Sequence, residues 1–171
     1  MIKILLADDE TDSRDAIVQY IDWEGHGLEL VGAAGDGAEA LEMIKTRKPD
    51  IAILDIYMPK LSGIQVIERC RREMPDAPAF IIISGCNDFG CAQQAIRLKV
   101  EEYLLKPFLA RELMDAVQRA LLQVELRRGG APGDFVSFVL SCQQESPRAA
   151  HGRYSMGLGR RVLNGGSVGS R

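Results

Sequence analysis

The chain has 171 residues, 46% of them hydrophobic and 26% charged, with a formal net charge of −3; this is the balance of a soluble globular protein of one domain, or of one domain and a tail. The weak negative charge gives no basis for wholesale nucleic-acid binding, and no apolar run approaches the roughly 20 residues of a membrane span. The N-terminal apolar stretch is too short for a secretory signal and runs directly into acids, so a cytoplasmic protein is predicted.

The first element is a strand over Ile2–Ala7, which stops on Asp8, Asp9 and Glu10. A second strand is predicted over Leu28–Ala34. The helix after it carries the apolar stripe Ala40, Leu41 and Ile44, and Asp36 stands three residues before Glu39 in a capping-box-like arrangement. A third strand covers Ile51–Leu54, followed by a helix with the stripe Ile64, Ile67 and Met74. The fourth, Ala79–Ile83, leads to a helix starting near Phe89, with Asp88 as its candidate cap and Ala92, Ala95 and Ile96 as its stripe. The fifth, Glu102–Leu105, precedes a helix whose stripe is Leu113, Val117, Leu121 and Val124. Leu109 occupies the capping position of that last helix, which forgoes about 1 kcal/mol with no evident compensation.

Several of these strands are nearly continuous in Val, Ile and Leu, as strands covered on both faces are. Five strands alternating with helices predict a doubly wound parallel sheet with helices on both sides. Ligands of such sheets bind beyond the carboxyl ends of the strands, so the residues that end each apolar run matter most. Strand one ends in Asp8-Asp9, strand three in Asp55, strand four in Ser84 and strand five in Lys106-Pro107. If strands one and three are neighbours, three carboxylates converge. Like charges a few Å apart raise one another's pKa unless a cation relieves them. Lys106 supplies one cation, and Mg²⁺ suits the rest, because it takes a few carboxylates, a backbone carbonyl and waters. Three acids, a lysine and a hydroxyl form a site for a phosphoryl group. An aspartate can attack phosphorus and form an acyl phosphate; Asp55, ending the central strand, is the candidate. Each residue alone has a plain explanation as a cap, turn or loop hydroxyl. It is their order, each ending an apolar run, that points to chemistry.

In this order, with Tyr103 before Lys106-Pro107 and the loop Asp55-Ile56-Tyr57-Met58-Pro59 closing at Gly63, the chain resembles the receiver (CheY-like) domain of two-component response regulators. The resemblance covers residues 1 to about 125. It implies a flavodoxin-like sheet in the order 2-1-3-4-5 with five helices, and Asp55 as acceptor of a phosphoryl group from a sensor histidine kinase. It also implies Mg²⁺ held by Asp9, Asp55 and the backbone carbonyl of Tyr57, with Asp8 acting largely through water. Lys106 would pair with phosphoryl oxygens, and its bond to Pro107 would be cis. Ser84 and Tyr103 would form a switch pair, which changes a face made of helix four, strand five and helix five where such receivers pair as homodimers. Ile21-Asp22-Trp23 with Gly25, Ser84 through Phe89, and Tyr103 through Pro107 further resemble receivers attached to AraC-type DNA-binding domains, which implies a role in transcriptional regulation. DNA binding would need an output domain, and none is evident in this sequence.

A receiver over residues 1–128 and a separate tail over 129–171 are therefore expected. The tail holds nine glycines and five arginines against two acids, Asp134 and Glu145, and is formally +3. Apart from Phe135–Leu140 it lacks periodicity, and its composition predicts disorder or the remnant of an output region. A nucleic-acid-binding arm around Arg160-Arg161 is the alternative, though no stacking aromatics are interleaved. The four cysteines, Cys70, Cys86, Cys91 and Cys142, lack CxxC spacing and zinc-distance histidines, and read as reduced thiols. Two rival functions remain. A Mg²⁺-dependent phosphohydrolase of the haloacid-dehalogenase type needs an acid two residues after its nucleophile, where this chain has Tyr57. An interaction module that takes no phosphate would have little use for the full acid set and Lys106. The favoured reading is a switch rather than an enzyme with a separate substrate.

Overall fold

Why the acids meet follows from how the strands are stacked. A computed structural model describes residues 1–85 and 89–129, with residues 89, 91 and 92 described only in their backbone. Five parallel strands, β1 (Ile2–Ala7), β2 (Leu28–Ala34), β3 (Ile51–Asp55), β4 (Ala79–Ser84) and β5 (Glu102–Leu105), form one sheet in the order β2-β1-β3-β4-β5. The helices between and after them are α1 (Thr11–Tyr20), α2 (Gly37–Arg47), α3 (Gly63–Glu73), α4 (Phe89–Arg97) and α5 (Ala110–Arg127). The five-stranded doubly wound fold in the order 2-1-3-4-5 is the one expected. Strands β3 and β4 end one residue later than their apolar runs, on Asp55 and Ser84 themselves.

Successive side chains of a strand point to opposite faces, and the inner strands carry apolar residues at both parities. Ile4, Leu6, Ile51, Ile53, Ile81 and Ile83 therefore pack toward α1 and α5, against Ile17, Leu113, Val117 and Leu121. Leu5, Ala7, Ala52, Leu54, Phe80 and Ile82 face the other way, against Leu41, Ile44, Ile64, Ile67 and Cys70 of α2 and α3. Both faces of β3 and β4 are buried along their whole length. The edges differ: β5 is half-buried and Leu105 is 43% exposed, because only one neighbour covers it.

The stripe expected on α4 needs correction. Ala95 is buried, but Ile96 is 75% exposed. Adjacent residues of a helix lie about 100° apart, so a helix resting on one narrow contact cannot bury both. Asp88 and the tail lie outside the described residues. The missing cap at Leu109 is explained: Glu112 Oε2 accepts from Leu109 N–H at 2.6 Å, which is the reciprocal half of a capping box without its hydroxyl half. Asp36 does cap α2, accepting from Ala38 and Glu39 N–H. Glu39, however, reaches Gly35 N–H rather than Asp36, so the box is not closed. Ser62 and Gln65 form a complete box at α3 that sequence reading passed over.

Candidate functional site

The chain goes from β1 to β2 on one side and from β3 onward on the other, so the loops after β1 and β3 open apart and leave a crevice at their carboxyl ends. Register sets what lines it. Ala7 pairs with Leu54, which brings the following residues, Asp8 and Asp55, level. Ser84 pairs with Leu105, and Lys106 N–H donates to the Ser84 carbonyl at 2.8 Å, which sets the lysine at the same end of the sheet.

Asp8, Asp9 and Asp55 each offer a carboxylate oxygen within 4.8 Å of the other two. Asp8 and Asp55 are buried and Asp9 is exposed. The Lys106 ammonium reaches Asp55 Oδ2 at 2.6 Å, Asp8 Oδ2 at 2.8 Å and Glu10 Oε2 at 3.4 Å. Asp55 Oδ1 accepts from Tyr57 N–H at 3.0 Å. The Lys106–Pro107 peptide is cis. Ser84 is fully buried at the end of β4. Tyr103 is half-buried on β5 and packs against the apolar cluster on the α2 and α3 side of the sheet. Tyr57 is 54% exposed, in the loop directly after Asp55.

Three contacts were not read from the sequence. Ser13 Oγ donates to Asp8 Oδ2 at 2.8 Å, Glu10 N–H donates to Asp8 Oδ1 at 3.0 Å, and an Arg14 guanidinium N–H donates to the Asp8 carbonyl at 2.7 Å. All three come from the start of α1, so the first turns of that helix fix Asp8 through both side chain and backbone. The signal available was their position at a helix start just past a strand-end acid.

Burial pushes the Asp55 carboxyl above the usual carboxylate range, and the charge of Asp8 adds to this; Lys106 pulls the other way and does not overcome it. Burial also opposes the charge on Lys106, but hydrogen bonds to Asp55 and Asp8 outweigh it and hold the ammonium above the ordinary lysine value. Lys106 is therefore a permanent cation that leaves the cluster with excess negative charge. That excess, with buried and exposed carboxylates in reach of one point, is the donor set that Mg²⁺ takes, so the residues present fit the ion. Outside the site, burial pushes the Cys70 thiol up to about 11, which agrees with an inert thiol filling the face of α3.

Residues 4–118 match the family of the response regulator receiver domain. The chain is 35% identical over 125 residues to an uncharacterized transcriptional regulatory protein, YesN, of Bacillus subtilis, covering 73% of this chain and 34% of the relative. The receiver domain of AraT, a response regulator from Geobacillus stearothermophilus, superposes with a TM-score of 0.67 at 36% identity, covering 74% of this chain and 98% of that one. A DNA-binding response regulator of the LuxR family from Staphylococcus aureus superposes at 0.65 with 27% identity, covering 70% and 98%. The chain spans from 34% to 58% of the length of the curated relatives compared. With the family match, the strand order and the strand-end acids in agreement, the chain belongs to the response regulator receiver domain family.

Proposed function

We propose that residues 1–128 are a phosphorylation-dependent switch of a two-component pathway, with Asp55 as the phosphoacceptor. The observation that carries this reading is the meeting of Asp8, Asp9 and Asp55 within 4.8 Å beside Lys106. An Asp55 carboxylate oxygen attacks the phosphorus of a phosphohistidine on a sensor histidine kinase. The new O–P bond gives an acyl phosphate, the P–N bond breaks, and the electron pair leaves with the imidazole.

Asp9, Asp55 and the Tyr57 carbonyl would hold Mg²⁺, with Asp8 acting through water. When bound, the ion would neutralise charge on the transferring group. Tyr57 N–H orients Asp55, and the α1 contacts orient Asp8. Lys106 needs only to keep its charge and place it on a phosphoryl oxygen.

The switch uses Ser84 and Tyr103. Phosphorylation adds charge and strong acceptor oxygens at Asp55, and the Ser84 hydroxyl turns to donate to one of them. Space behind it opens, and Tyr103 moves from half-buried to fully buried. The surface of α4, β5 and α5 changes with it, and a homodimer forms there. The charge event biases a packed surface with two arrangements. The transcriptional regulators among the relatives and the AraC-like sequence details support a role in transcription through an output domain that binds DNA. The protein turns over no separate substrate.

The test is incubation with Mg²⁺ and acetyl phosphate, followed by intact-protein mass spectrometry. One labile phosphoryl group is expected, absent in Asp55→Ala. A label that persists in that variant places the acceptor elsewhere.

A further inference from the structure

The loop between β3 and α3, residues 56–62, is held on two sides by close backbone packing. On one side Gly63 lies against Asp55: a Cβ there would stand 2.2 Å from the Asp55 carbonyl oxygen. On the other side Gly37, the first residue of α2, lies against Leu61, where a Cβ would stand 1.8 Å from the carbonyl oxygen. Gly37 N–H also donates to the Pro59 carbonyl at 3.2 Å. The loop that carries Tyr57 is thus wedged between the phosphoacceptor strand and the start of α2.

Asp36 and Lys60 close this wedge. Asp36 divides its two oxygens: Oδ1 caps α2 through Ala38 and Glu39 N–H, and Oδ2 accepts from Lys60 Nζ at 2.6 Å. The ammonium draws the Asp36 carboxyl below its usual range, so the pair is ionised at neutral pH. Lys60 has φ of +65°, a left-handed conformation that a residue with a Cβ adopts only at a cost.

We infer that Asp36 and Lys60 are positioning residues for the metal and phosphoacceptor site, acting through the loop that presents the Tyr57 carbonyl and Tyr57 N–H to it. Neither residue touches Asp55. The ion pair bridges residues 24 apart in sequence and ties the β2–α2 junction to the metal-binding loop. Since Lys60 is largely exposed, such a pair adds little to global stability; its effect falls on where the loop rests. This inference rests on the reading of Asp55 and its neighbours as a Mg²⁺-dependent acceptor site.

The test measures Mg²⁺ binding by calorimetry, and autophosphorylation by acetyl phosphate as a function of Mg²⁺, in wild type, Asp36→Asn, Lys60→Met and Lys60→Arg. Asn preserves the cap and removes the charge, so α2 still starts correctly. The Mg²⁺ dissociation constant is expected to rise about threefold in Asp36→Asn and Lys60→Met, the size an exposed ion pair can supply. The limiting rate at saturating Mg²⁺ and the thermal midpoint without Mg²⁺ should stay near wild type, and Lys60→Arg should bind like wild type. Equal Mg²⁺ affinity in all four proteins overturns the positioning role. Absence of Mg²⁺ binding and of phosphorylation in wild type itself would instead overturn the site reading on which it stands.

Discussion

The ammonium of Lys106 lies 2.6 Å from Asp55 Oδ2, although 51 residues separate the two in the chain. The sheet order and the register of β3, β4 and β5 close that distance, the level register of β1 and β3 brings Asp8 alongside, and Asp8 completes the bridge at 2.8 Å. A buried carboxylate pair tied by one lysine is strongly coupled, so removing a single member is felt by the others.

Lys106→Met should destabilise the metal-free protein by about 2 kcal/mol at neutral pH, less than a fully buried pair would lose because the lysine retains some solvent contact. Urea denaturation in EDTA checks it. Adding Mg²⁺ should restore part of the loss, since a second cation then serves the same acids. An unchanged midpoint would mean that the lysine does not neutralise this cluster.

Asp55→Asn should have the opposite sign. The folded-state pKa of Asp55 is raised by burial, so in the window above the ordinary carboxylate value the folded protein binds more proton than the unfolded one. The stability that Asp55 contributes is complete below the unfolded pKa and is lost as pH rises through the folded one. The variant has no such loss. Thermal midpoints in EDTA should therefore separate in favour of Asp55→Asn as pH rises from about 4 toward neutrality, and Mg²⁺ should narrow the gap. Parallel midpoint curves across that range would contradict it.

These electrostatic features were only partly legible in the sequence. Asp8, Asp55, Ser84 and Lys106 stood out because nearly continuous apolar runs stop on polar residues, and the parallel fold then brings strand ends together. The hold of Ser13 and Arg14 on Asp8 was not visible, because polar residues early in a helix are common and their rotamers are set only by what faces them. The Asp36–Lys60 pair joins two loops, and apolar periodicity says nothing about loop packing. Ile96 was misplaced for a related reason: spacing marks an apolar stripe but not how wide the contact beneath it is.

Glu112→Ala tests the unusual start of α5. It removes the acceptor for Leu109 N–H and should cost about 1 kcal/mol, read as a lower urea midpoint with unchanged slope. Leu109→Ser should gain a similar amount by adding the missing hydroxyl half of the box. If Glu112→Ala leaves the midpoint where it was, solvent serves Leu109 as well as the carboxylate does.

Cys70 gives a chemical check on the core. Its thiol, pushed up to about 11 by burial, should resist iodoacetamide at pH 8 in the folded protein and react after denaturation. Peptide mapping by mass spectrometry reads the site directly. Rapid alkylation of Cys70 under native conditions would mean that the face of α3 opens readily to solvent.

The most direct measurement is a calorimetric Mg²⁺ titration of wild type beside Asp9→Ala and Asp55→Asn. One ion per chain is expected for wild type, with affinity reduced at least tenfold in each variant, since each removes one charged ligand from a shared ion. Wild-type affinity in both variants would show that Asp8, Asp9 and Asp55 do not hold a common cation.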